Sequence, residues 1–62
     1  LIGKEAIVLQ PIENLKMQGK VLMNGMEWTA RTASNQDIIE KDTIVVVERV
    51  EGVKLIVRRK EV

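Results

Sequence analysis

Cysteine, histidine, phenylalanine and tyrosine are all missing from this 62-residue chain, which has one tryptophan, one proline and four glycines. Without Cys or His there is no disulfide framework, no thiol chemistry and no zinc site of the usual ligand types, so neither a metal nor a cofactor is expected. Losing His and Cys also removes the commonest general bases and nucleophiles. Ser34 and Thr43 have no paired base in the neighbouring sequence, and a lysine-activated serine would need a desolvated partner such as Lys41. No catalytic residue is assigned and the chain does not read as an enzyme. Charge of one sign is lacking too: ten basic residues face nine acidic ones for a net charge of +1, without the basic stripe expected of a nucleic-acid binder. No apolar run is long enough to cross a bilayer. The first residue is Leu1 rather than Met, which reads as a single domain, residues 1–62, excised from a longer protein. The missing cysteines fit a reducing, cytoplasmic setting.

What remains has a period of two. In "GKVLMNGMEWTARTA" (residues 19–33), Asn24-Gly25 separates two apolar runs, and this dipeptide suits the two positive φ angles of a type I′ hairpin turn. That turn pairs Met23 with Met26, Leu22 with Glu27, Val21 with Trp28, Lys20 with Thr29 and Gly19 with Ala30. Gly19, Val21, Met23, Met26, Trp28 and Ala30 then share one face, leaving Lys20, Leu22, Glu27, Thr29 and Arg31 on the other. Trp28 is the one aromatic able to serve as a stacking platform, but its place on the apolar face assigns it to the core. The methionines Met23 and Met26 beside it read as gap-filling core rather than an adaptable binding surface.

"GKEAIVLQ" (residues 3–10) reads as a first strand that ends at Pro11, which cannot donate to a ladder. Pro11 to Gln18 reads as a loop in which "NLKMQ" has room for one helical turn. Ser34 to Asp42 is polar apart from Ile38 and Ile39, which anchor a short turn to the barrel end. "TIVVVERVEGVKLIVRRKEV" supplies two more strands joined near Glu51-Gly52. Two registers fit this pair. A bulged turn sends Val45, Val47, Leu55 and Val57 inward, leaving Ile44, Val46 and Ile56 outside with Lys54 and Arg58, whereas a plain two-residue turn sets Val46 against Leu55 and Val57. Arg58, Arg59 and Lys60, with Glu61 beside them, read as a solvated edge. Five short strands with no long amphipathic helix predict an all-β fold, a small five-stranded barrel whose closure removes exposed edges; OB-fold and SH3-like barrels are both candidates.

Gly3-Lys4, then Gly19, Val21, Gly25, Trp28 and Ala30 in "GKVLMNGMEWTARTA", then "IIEKDTIVVV" and "VEGVKLIVRR", together resemble the C-terminal soluble domain of the NfeD family across almost the whole chain. The resemblance implies a five-stranded OB-fold-like barrel carried behind transmembrane helices. It also implies a non-catalytic protein-interaction module that associates with stomatin- or flotillin-type (SPFH) membrane scaffold proteins. Ala6 and Asp42 stand where the family often has Gly, and Asp accepts a left-handed turn better than most residues. The apolar residues Leu22, Ile44, Val46 and Ile56 exceed what so small a barrel can bury, which makes them the candidate partner contacts, whether the partner is the scaffold protein or a sister copy. The alternative function is an OB-fold binding single-stranded nucleic acid or oligosaccharide. It calls for several stacking aromatics and a basic groove, and with one aromatic and balanced charge no nucleic-acid partner is expected.

Overall fold

The computed structural model describes residues 1–61. Its elements are β1 (Glu5–Glu13), a 3-10 turn (Asn14–Lys16), β2 (Gln18–Met23), β3 (Met26–Thr32), β4 (Ile38–Ile39), β5 (Ile44–Glu51) and β6 (Lys54–Arg59). The strand order is β2-β3-β6-β5-β1-β4, and an added β2–β1 pairing closes the five long strands into a barrel with the two-residue β4 outside on β1. Every pairing is antiparallel except that of β3 with β6. The expected all-β barrel is therefore present, with β4 as an extra strand.

The β2–β3 hairpin has the register its turn dictates. Asn24 and Gly25 take φ of 53° and 76°, and the pairs run from Met23↔Met26 to Lys20↔Thr29. One parity of each strand fills the barrel: Ala6, Val8 and Ile12 from β1, Val21 and Met23 from β2, Ala30 from β3, Ile39 from β4, Val45 and Val47 from β5, Leu55 and Val57 from β6. Gly19 is required where β2 meets β3 and β1. A Cβ there would lie 2.6 Å from the Ala30 carbonyl oxygen and 3.1 Å from the Ile12 Cα, with φ at 151°.

Four expectations are corrected. The first strand does not end at Pro11 but continues to Glu13. Pro11 falls between Gln10↔Lys20 and Glu13↔Gln18, where the register already slips, so its missing N–H leaves no gap in the ladder. The expected loop then shrinks to the 3-10 turn, with Met17 in the left-handed region behind it.

The β5–β6 hairpin combines the two registers. Gly52 (φ 61°) and Val53 form a plain two-residue loop closed by Glu51↔Lys54, with positive φ at the first central residue as in a type II′ turn. The bulge lies farther up, at Glu48, between Val47↔Val57 and Arg49↔Ile56, and it returns Val45 and Val47 to the core side.

Ile56, expected outside with Ile44 and Val46, is only 5% exposed. It projects from the outer parity of β6 between its cross-strand partners Arg31 on β3 and Arg49 on β5, which flank it and leave a small part of it open to the surface.

Trp28 packs against the core but is only partly buried, and Met26 on the same face is 60% exposed. Both stand at the barrel end, ahead of Thr29↔Lys54, the first pair of β3 with β6, so that β2 is their one strand partner among the described residues.

Candidate functional site

Two surface features stand out, and β5 contributes to both. The first is a row of apolar side chains on the outside of β2, β1 and β5. Leu22 pairs with Ile7, and Ile7 pairs in turn with Ile44, so three branched side chains lie in register across three strands. Val46, two residues along β5 on the same parity, opposes Glu5 on β1 and Arg58 on β6. Leu22 is 37% and Ile44 42% exposed, while Ile7 and Val46 are half-buried. Ion pairs border the row, Lys20 with Glu27 on one side and Lys60 with Glu5 at 2.6 Å on the other. Of the four residues singled out from the sequence, the structure brings Leu22, Ile44 and Val46 onto this face and separates Ile56 from them. Ile7 belongs to the row and was missed. Its alternation with the buried Ala6 and Val8 marks it as outward-facing once β1 is known to be central, a fact that depends on barrel closure rather than on local sequence.

The second feature is an open cleft of about 340 Å³ across the outside of β3, β6 and the far half of β5, lined among others by Asn14, Met17, Arg31, Arg49, Lys54 and Ile56. Asn14 fixes its wall by tying the 3-10 turn to the end of β3. Its Nδ2 donates to the Thr32 carbonyl at 2.7 Å and to Asn35 Oδ1 at 3.0 Å, and its Oδ1 accepts from the Thr32 N–H at 3.0 Å. The buried Thr32 hydroxyl donates onward to the Ser34 carbonyl at 2.6 Å, which holds the segment after β3 in place. Arg31 Nη1 donates to the Ala30 carbonyl at 2.7 Å. Arg49 donates from Nε to Glu51 at 2.5 Å, and this hydrogen bond, then the charge of the same carboxylate, holds its guanidinium above its ordinary pKa.

Ser34 and Lys41 are both exposed, and Ser34 Oγ serves to accept from the Gln36 N–H at 3.3 Å. Among the described residues no group of three His, Cys, Asp or Glu side chains is placed to hold a metal ion, and no helix is long and apolar enough to cross a membrane. The terminal basic run is largely neutralised, Arg59 by Asp37 and the Ile38 carbonyl and Lys60 by Glu5.

A surface that pairs an apolar row with a structured cleft suits a binding domain, and comparison with known families agrees. The profile of the NfeD-like C-terminal, partner-binding domain matches residues 1–59. The chain belongs to the NfeD family. The NfeD match takes in every strand of the barrel, the Asn24-Gly25 hairpin, Trp28 and the β5–β6 hairpin. The fold is also that of a crystal structure of the soluble domain of a membrane protein implicated in regulation of membrane protease activity from Corynebacterium glutamicum. That similarity has a TM-score of 0.89 at 28% sequence identity, covering 98% of this chain and 94% of the other. No curated protein matches the chain significantly. As an NfeD C-terminal domain the chain is a partner-binding module, which is the coarse function expected from its sequence.

Proposed function

We propose that this NfeD domain is the non-catalytic docking end of a longer, membrane-anchored protein, and that it binds a stomatin- or flotillin-type scaffold protein on the cytoplasmic side through the row Leu22, Ile7, Ile44 and Val46. The observation that carries this is the register: Leu22↔Ile7 and Ile7↔Ile44 align apolar side chains from three strands on one face, where Leu22 and Ile44 are exposed among the described residues. Contiguous exposed apolar surface on a small soluble domain commonly marks an interface. The Corynebacterium glutamicum relative, the soluble domain of a membrane protein, supports the membrane setting. Ile56 is no longer a contact in this reading, because it lies in the cleft.

The test is a charge in the row. Ile44→Glu and Leu22→Glu are expected to leave the isolated domain folded, with stability changed by less than about 1 kcal/mol as for ordinary surface positions. The same changes in the full-length protein should abolish capture of the scaffold protein from solubilised membranes. A folded Ile44→Glu domain that still captures the scaffold protein removes the row from the interface.

A further inference from the structure

The cleft over β3, β6 and β5 combines an apolar floor with a cationic rim. Ile56 forms the floor, with the exposed Met17 at one side, while Arg31, Arg49 and Lys54 supply the charge. Elsewhere Lys16 is matched by Glu13, Lys20 by Glu27, Arg59 by Asp37 and Lys60 by Glu5, while Lys4, Lys41 and Arg58, none of which lines the cleft, have no ion pair among the described residues. Arg31 and Lys54 line the cleft together and have no ion pair among the described residues, whereas Arg49 is held by Glu51, the one acid of the lining, and lies 3.8 Å from Glu48 beside it. The cleft thus carries an excess of positive charge on a chain whose net charge is +1. The Glu51 carboxylate on Arg49 Nε shows which ligand group the rim accepts.

From this charge complementarity we propose that the cleft binds an acidic, extended segment of a partner protein, its carboxylates meeting Lys54, Arg31 and Arg49 and an apolar side chain resting on Ile56. An extended chain displays alternate side chains to opposite sides, so one apolar residue between two acids matches a floor between two rims. Single-stranded nucleic acid fits less well, since the lining contains no aromatic on which bases stack. The cleft lies outside the apolar row, so this site goes beyond the proposed function and stands or falls separately from it.

The probe is the synthetic peptide Glu-Leu-Glu-Leu-Glu, blocked at both ends and titrated into the 15N-labelled domain at low salt. Saturable shifts are expected at Arg31, Ala33, Arg49, Lys54 and Ile56, with a Kd of about 10⁻³ to 10⁻⁴ M, as befits a short flexible ligand held by exposed charges. Lys54→Glu should weaken binding at least about tenfold, a loss of the size expected when attraction becomes repulsion, while Lys20→Glu outside the cleft should change it by less than about twofold. Glu51→Gln removes the internal competitor at an exposed position and should tighten binding. Dispersed spectra of each variant establish that it is folded. Absence of saturable shifts, shifts spread evenly over the surface lysines, equal binding by Lys-Leu-Lys-Leu-Lys, or tighter binding by oligothymidylate would each overturn the proposal. An unchanged or weaker affinity for Glu51→Gln would overturn the place of Arg49 in it.

Discussion

Gly19 holds β2 close enough to β3 for the barrel to close, because the Ala30 carbonyl oxygen occupies the space a side chain would need. Backbone cannot yield as a flexible side chain can, so Gly19→Ala is expected to cost roughly 2 to 4 kcal/mol, a large part of the stability of so small a domain. Urea unfolding measures this directly, and a loss below about 1 kcal/mol would show that the strands separate easily there. Trp28 presents the opposite case. Its indole leans on the core, yet Nε1 is buried without a hydrogen-bond partner among the described residues. An orphaned donor offsets part of what burying the ring contributes. Trp28→Phe, which removes that donor, should therefore cost less than about 1.5 kcal/mol, whereas Trp28→Ala, which also removes packing, should cost about 2 to 4 kcal/mol. Matching losses in the two melts would mean the N–H is satisfied in solution. The facial pattern identified Trp28 as apolar-facing, but it could not show that β6 begins too late to cover it.

At the scale of strands, the bulge at Glu48 reconciles two patterns that a straight ladder would set in conflict. Counting back from the Gly52-Val53 loop, regular pairing would put Glu48 opposite Val57 and leave Val47 on the wrong parity; one extra residue restores Val47↔Val57. Deleting Glu48 should consequently leave both halves of the hairpin in register and give a folded domain, destabilised by about 1 to 3 kcal/mol through the lost bend. Deleting Val46 instead shifts Val45 to the outer face and should abolish folding. Amide spectra distinguish the two, and an unfolded Glu48 deletion would mean the bend itself is essential. Asn14 plays a similar joining role for the 3-10 turn, and Asn14→Ala should cost about 1 to 3 kcal/mol because the buried end of β3 loses its partner for both N–H and carbonyl. Faster hydrogen exchange at the Thr32 amide is the specific sign. The Asn24-Gly25 hairpin was fully legible in the sequence because a two-residue turn fixes its register locally. The passage through Pro11 was not, since a proline is tolerated where a ladder slips and that slip is set by β2. The Glu48 bulge was equally hidden, because any residue between Val47 and Gly52 would serve.

For the molecule as a whole, closure decides which of the surplus apolar residues lie together. The sequence pattern offered Leu22, Ile44, Val46 and Ile56 as outward-facing, Val46 only in the bulged register, but only the circular order of strands brings Ile7 between Leu22 and Ile44 and carries Ile56 away to the cleft. The same order gathers Arg31, Arg49 and Lys54 from three strands into one patch. Such a patch on an OB-fold-like barrel raises the question of single-stranded nucleic acid, which charge and stacking answer together. Three cations give a salt slope of at most about −2 for a single strand, and without stacking they supply only the weak, sequence-independent part of such binding. The single aromatic is not in the cleft and its ring rests on the core, so no base can intercalate there without unpacking it. The isolated domain is therefore expected to bind oligothymidylate no tighter than about 10⁻⁴ M at physiological salt, the weak end of non-specific affinity. Fluorescence anisotropy of a labelled oligonucleotide over a salt series decides the point: a micromolar complex with a slope steeper than about −3 would require more phosphate contacts than this cleft offers and would make nucleic acid a partner of the barrel.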